Sequence, residues 1–284
     1  MSLPIEDVVD ALVGHMTDGG VCVLQAPPGA GKTTRVPLAL LAADAFDGRL
    51  IMLEPRRLAA RAAAERMAQT LGEPVGQTVG YRMRGEAKVS KATRVEVVTE
   101  GILTRMIQSD PELSGVGCVV FDEFHERSLN GDLGLALVWE AREALRPDLK
   151  LMVMSATLDA APVAALLGDA PVVTSDGRAH PVETRWLDRP LHKDVRFEAA
   201  AADLVNQAVR ETTGGVLVFL PGEGEIRRVM NGIDVPKGAV VRPLFGALPF
   251  KEQRAAIAPE DGVRKIVLAT SIAETSLTIE DVRV

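Results

Sequence analysis

The sequence has little cysteine, no long apolar run and no excess of positive charge, and each shortage narrows what the chain can be. Its 284 residues include 2 cysteines. Cys22 and Cys118 each sit inside a short apolar run, Val21-Cys22-Val23-Leu24 and Cys118-Val119-Val120-Phe121, so they read as buried reduced thiols without chemistry of their own. Nowhere does an apolar run approach the ~20 residues that a transmembrane helix needs. The opening residues to Asp10 carry acids where a secretory signal carries positive charge, and no apolar h-region follows. A cytoplasmic protein with no membrane association is expected. The net charge is −7, from 32 basic and 39 acidic side chains, which argues against a wholly basic surface. A narrow basic track remains compatible with it, because phosphate contacts need only local Lys and Arg. Two such clusters exist, Arg56, Arg57 and Arg61, then Arg82, Arg84, Lys88, Lys91 and Arg94. By charge alone they are solvated faces.

What is present is an ordinary globular composition, 47% hydrophobic and 25% charged, in a length that suits two domains. Short Val, Ile and Leu runs alternate with Ala-rich stretches of helical period, the pattern of parallel strands joined by crossover helices. This predicts an α/β fold. The predicted strands are 21–25, 50–53, 94–98, 118–121, 151–154 and 172–174, with helices over 33–43, 58–71, 101–108, 133–145 and 160–167. A polar, turn-rich segment at 175–181 interrupts the series, and a second set follows. It has strands near 182–187, 216–220, 239–241 and 265–269, and helices near 197–210, 223–231 and 251–257. The expected domains are 1–178 and 179–284.

After the first strand comes Ala26-Pro27-Pro28-Gly29-Ala30-Gly31-Lys32-Thr33-Thr34, which opens a helix. Strand, glycine-bearing loop and helix N-terminus stand in the order of a P-loop, although Ala26 occupies the usual first glycine. Backbone N–H groups of Gly29, Ala30, Gly31, Lys32, Thr33 and Thr34 can cradle phosphates there. Lys32 can reach the β- and γ-phosphates of ATP, and the Thr33 hydroxyl can ligate Mg²⁺. A later apolar strand ends in Asp122-Glu123-Phe124-His125-Glu126-Arg127. Asp122, with Glu123 beside it, is placed to hold Mg²⁺, and Glu123 to polarise the attacking water.

Asp122-Glu123-Phe124-His125 resembles the DEAH signature of superfamily-two helicases, with Phe124 in place of alanine. Glu54-Pro55-Arg56-Arg57-Leu58 looks like motif Ia, Thr99-Glu100-Gly101 like motif Ib, Ser155-Ala156-Thr157 like motif III, Leu217-Val218-Phe219-Leu220-Pro221-Gly222 like motif IV, and 269–278 like motif V. The resemblance covers nearly the whole chain, and Phe124 with the Pro-Pro-Gly loop looks most like the bacterial HrpB group. It implies two tandem RecA-like P-loop NTPase lobes with mainly parallel sheets, the second truncated. It implies an ATP-dependent RNA helicase, with single-stranded RNA favoured over DNA. Arg56, Arg57, Thr99 and Thr270 would contact the sugar-phosphate backbone, a readout that positions without specifying sequence. Ser155 and Thr157, together with His125, would couple the nucleotide site to lobe movement. Thr275 and Ser276 would face both ligands, and Arg66 would stack on adenine. Opposite Arg66 the family has an aromatic residue where this chain offers Ala256 or Ile257.

The family continues to a motif VI whose arginines reach the γ-phosphate, and no Gln-Arg-x-Gly-Arg run occurs in this sequence. Weak ATP turnover by the isolated chain is therefore expected, as a phosphate-release assay with and without poly(U) would show. Other readings of the same residues are a nucleotide- or RNA-binding module without useful catalysis, a DNA-directed superfamily-two ATPase, and an unrelated P-loop motor. The last leaves Ser155-Ala156-Thr157 and the motif V segment unexplained.

Overall fold

A computed structural model of the chain describes residues 3–156, 160–177, 181–274, 279 and 281–284. It divides into two compact units, Met1–His180 and Pro181–Val284.

The first unit is built on strands β1 (Val21–Gln25), β2 (Arg49–Leu53), β3 (Val79–Met83), β4 (Glu86–Lys88), β5 (Val95–Val98), β6 (Val116–Phe121), β7 (Lys150–Ser155) and β8 (Val172–Thr174). They form one sheet in the order β4-β3-β5-β2-β6-β7-β1-β8. All neighbouring pairs are parallel except β3 with β4. Six α-helices serve as connections, α1 (Val9–Asp18), α2 (Lys32–Ala42), α3 (Arg57–Thr70), α4 (Glu100–Ser109), α5 (Leu129–Ala144) and α6 (Ala160–Leu166).

Successive strand residues point to opposite faces, and each face has its own core. Cys22, Leu24, Met152 and Met154 pack with Leu12 and Met16 of α1, Leu40 of α2 and Met67 of α3. Val21, Val23, Leu151 and Val153 pack with Leu103 of α4, Val138 of α5 and Val163 of α6. Burial on both sides explains why the central strands read as unbroken apolar runs.

The structure departs from the sequence expectation in several places. Strands β3 and β4 were not foreseen, because Gly80 and Arg82 interrupt the apolar pattern and 82–94 was read only as a basic cluster. Gly80 is there for a close approach: a Cβ at that position would lie 2.4 Å from the Lys88 carbonyl oxygen. The residues up to Asp10 were read only for targeting signals and 11–18 were given no element, yet the chain forms a 3₁₀ turn, Pro4–Val8, that runs into α1. The basic cluster over 82–94 is paired in part: Arg84, Lys88 and Lys91 are exposed as expected, while Arg82 and Arg49 flank Glu96 at 2.6 and 3.0 Å. Arg94 lies over the Phe46 ring and donates to the Gly48 carbonyl.

The second unit contains β9 (Val216–Phe219), β10 (Ala239–Leu244) and β11 (Arg264–Ala269), a parallel sheet in the order β10-β11-β9. Helices α7 (Phe197–Glu211), α8 (Glu223–Met230) and α9 (Phe250–Ile257) accompany it, and Val205, Val209, Ile226 and Val229 pack against Ile266 and Leu268. The predicted strand near 182–187 is not formed; those residues are irregular and exposed, with Trp186 86% accessible. Asp281 and Val284 flank β9, accepting hydrogen bonds from the Gly215 and Leu217 N–H groups. Among the described residues, no helix is long and apolar enough to cross a membrane.

Candidate nucleotide and nucleic-acid site

The site is built at the C-terminal edge of the first sheet, where parallel strands deliver successive loops to one side. Strand β1 ends in the glycine loop, β6 in the acidic pair, and β7 between them in Ser155. The Ala26 N–H donates to the Ser155 carbonyl at 3.0 Å, which ties the loop to β7. Ala26 itself is buried, and its methyl is accommodated where the usual pattern has glycine. Gly31 caps α2 with φ 96°, a left-handed conformation that glycine adopts freely, so that Lys32 starts the helix beneath the loop.

The two motifs converge. Lys32 Nζ lies 3.0 Å from Glu123 Oε1, and both side chains are almost fully buried. Glu123 reaches this position through a left-handed backbone, φ 51° and ψ 34°, a strained conformation for a residue with a side chain. Its other oxygen, Oε2, is 3.4 Å from His125 Nε2. His125 Nδ1 accepts the Ala156 N–H at 3.3 Å, which leaves the ring proton of a neutral imidazole on Nε2, toward Glu123. The histidine thus joins the acidic pair to the loop after β7.

Asp122 is 2% accessible, and its Oδ1 accepts the Glu123 N–H at 2.8 Å. Its Oδ2 is buried without a hydrogen-bond partner. Burial, reinforced by the neighbouring Glu123 charge, pushes the Asp122 carboxyl up to about 6, while Lys32 and Thr33 pull it back. A buried carboxylate oxygen without a partner, beside the Thr33 hydroxyl and Lys32, suits a small divalent cation that completes its shell with oxygen ligands from elsewhere. Among the described residues no cluster of three or more His, Cys, Asp or Glu could hold a metal alone.

The predicted nucleic-acid residues of the first unit line the same edge. Strands β5, β2 and β6 are adjacent, and they end respectively in Thr99, in Arg56 and Arg57, and in the 122–128 loop. Thr99 caps α4, and Arg57 opens α3 with its side chain exposed. Arg56 is not bare: its Nε lies 3.2 Å from Glu126 Oε2. Arg66 is exposed on α3, where it donates to Gln69 Oε1 at 3.3 Å. Thr270 belongs to the second unit, where its N–H donates to the Leu244 carbonyl. Thr157, Thr275 and Ser276 lie outside the described residues.

Sequence reasoning gave no role to Glu126, Ser128 or Glu100. Ser128 Oγ donates to Glu100 Oε1 at 2.5 Å and also accepts the Gly131 N–H at the start of α5. The signal was an acid immediately after His125, opposite in sign to the Arg56-Arg57 pair.

Comparison with known proteins agrees with this geometry. The DEAD/DEAH box helicase family model matches residues 7–166. The ATP-dependent RNA helicase HrpB of Escherichia coli (strain K12) is 53% identical over 285 residues, covering 99% of this chain and 35% of that protein. The human ATP-dependent RNA helicase DHX30 is 35% identical over 311 residues, again 99% of this chain but 26% of that protein. A crystal structure of the Escherichia coli DEAH/RHA helicase HrpB superposes with a TM-score of 0.91 at 52% identity, over 98% of this chain and 36% of that one. The chain therefore spans about a third or less of the length of these relatives. Its parallel α/β architecture is that of the RecA-like helicase structures. With the phosphate loop, the acidic pair and the 160 matched residues all in the first unit, the chain belongs to the DEAD/DEAH box helicase family.

Proposed function

We propose that this chain is the ATP-binding part of an ATP-dependent RNA helicase, in which ATP hydrolysis is coupled to movement along a single strand. The observation that carries the reading is the convergence of Lys32 and Glu123 at 3.0 Å, with Asp122 alongside. HrpB and DHX30, both named ATP-dependent RNA helicases, support RNA as the polymer.

In this reading the N–H groups of residues 29–34 and the Lys32 ammonium hold the phosphates, and Thr33 and Asp122 hold Mg²⁺. When bound, Mg²⁺ supplies positive charge that offsets the charge developing on the transferred phosphoryl group. Glu123 positions a water molecule and accepts its proton, while His125 keeps the carboxylate oriented through its link to Ala156. Arg56, Arg57, Thr99 and Thr270 grip the sugar-phosphate backbone. Ser155, Thr157, Thr275 and Ser276 transmit the state of the nucleotide site, and Arg66 stacks on the base. The turn-rich segment at 175–181 motivates a domain division near 178 in this reading.

Lys32→Ala and Glu123→Gln test the assignment when nucleotide affinity and phosphate release are measured together. Lys32→Ala should lose nucleotide binding, while Glu123→Gln should keep it and lose turnover by roughly 100-fold or more. Normal turnover in Glu123→Gln would remove the acid from its role. Competition between single-stranded RNA and DNA for the same protein decides the polymer, and equal competition would favour the DNA-tolerant alternative.

A further inference from the structure

The segment from Asp122 to Ser128 touches the chain that follows each of strands β1, β2, β5 and β7. Glu123 meets Lys32, His125 meets Ala156, Glu126 meets Arg56, and Ser128 meets Glu100. Two of these partners follow strands β2 and β5, on the nucleic-acid side, and two sit beside the nucleotide side. The short turn Phe124–Glu126 lies between two residues with left-handed φ, Glu123 at 51° and Arg127 at 44°. Beyond it the chain is anchored: Arg127 holds Asp132 through two hydrogen bonds of 3.0 and 2.9 Å and lies over the Phe124 ring. A strained turn pinned at both ends can change between discrete arrangements more readily than a strand can.

From this arrangement we propose that Glu126 is an internal stand-in for a strand phosphate. It holds Arg56 when no nucleic acid is bound, an incoming phosphate displaces it, and its release is transmitted along the turn to Glu123 and His125. Three observations carry this. The Arg56 and Glu126 side chains are 24% and 17% accessible, so a phosphate can reach the pair from solvent. A carboxylate and a phosphate offer the same guanidinium the same kind of paired oxygens, so both cannot hold it at full strength. Glu126 also directly follows His125, whose ring faces Glu123 Oε2 at 3.4 Å, so any backbone shift of the short turn on release of Arg56 reaches the histidine. The proposal rests on the reading of Arg56 as a phosphate contact, and Glu126 is in it a positioning residue that acts through its neighbours.

The test is a double-mutant cycle in this chain, read by the anisotropy of a fluorescein-labelled single-stranded oligouridine at one fixed low salt concentration. Arg56→Ala should weaken binding. Glu126→Gln, which keeps the shape of the side chain and removes its charge, should tighten it by about three- to tenfold. In the Arg56→Ala background the same Glu126→Gln change should produce no gain. An equal gain in both backgrounds would mean that Glu126 merely repels the strand, and a loss of affinity would mean that it supports the fold; either overturns the proposal. If Arg56→Ala leaves affinity unchanged, the phosphate reading of Arg56 has failed first. Poly(U) stimulation of ATP turnover supplies the second readout. Glu126→Gln should raise the rate without RNA and lower the stimulation ratio, and an unchanged ratio alongside a gain in affinity would overturn the transmission step.

Discussion

Replacing Asp122 with asparagine should stabilise the metal-free protein at neutral pH, although it removes a carboxylate on which the proposed chemistry depends. Asp122 is buried beside Glu123, and its carboxyl is pushed up to about 6 from an ordinary 3.8. A carboxyl raised in the folded state binds a proton more tightly there than in the unfolded chain, so folding is penalised as pH rises through the interval between the two values. The penalty is fully present above about 6 and absent below 3.8. At 1.36 kcal/mol per pH unit, the interval corresponds to about 3 kcal/mol. Asp122→Asn keeps the acceptor oxygen for the Glu123 N–H and carries no charge. For a unit of this size, about 3 kcal/mol appears as a rise in melting temperature of roughly 6 to 12 °C. The measurement is thermal unfolding by circular dichroism, in EDTA and without nucleotide, at half-unit steps from pH 4 to 8. Asparagine should be the more stable variant at pH 7.5, and the gap should close on acidification through the 6-to-4 interval. A variant less stable than the parent at pH 7.5, or a gap that does not depend on pH, would refute the electrostatic account of this site.

Two further outcomes follow from the same packing. Cys22 and Cys118 are both fully buried, which pushes the Cys22 thiol up to about 12 and the Cys118 thiol further in the same direction. Neither should react with Ellman's reagent in the native protein at pH 8, whereas both should react in guanidinium; a stoichiometric native reaction would contradict the assigned core positions. Glu96 is fully buried and is held by two partly exposed arginines, Arg49 and Arg82. Replacing both arginines with methionine should cost about 3 to 5 kcal/mol in urea unfolding, because a buried carboxylate loses its counter-charges, and adding Glu96→Leu should recover most of that loss. Failure of the third change to restore stability would show that the arginines act through packing rather than charge.

Much of the first unit was legible in the sequence because its central strands are buried on both faces. Apolar runs at 21–25, 118–121 and 151–154 admit few alternatives when turn signals bound them. The meeting of Lys32 with Glu123 was legible for a related reason: a glycine loop opening a helix and an acid pair ending a parallel strand are delivered to the same edge of the sheet. Edge strands carry weaker signals. Strand β3 interleaves Gly80 and Arg82 with its apolar residues, and β4 is only Glu86–Lys88, so polarity hid both. The 182–187 run failed in the opposite sense, since its alternating apolar residues promised a strand and the structure forms none there.

The roles of the polar residues were harder to read because a charge in sequence does not disclose its partner. The run 82–94 looked like a solvated basic face, yet Arg82 is committed to Glu96 and Arg94 to Phe46 and Gly48. Arg56 looked like a bare phosphate ligand and is matched by Glu126 from a strand that is a sheet neighbour but a long way off along the chain. Parallel topology is what brings such residues together. Each crossover returns the chain to the same edge, so loops that share chemistry collect there whatever their order in sequence. In the proposed reading, nucleotide and nucleic-acid residues become neighbours through one short turn, and a change of one acid in that turn should alter both.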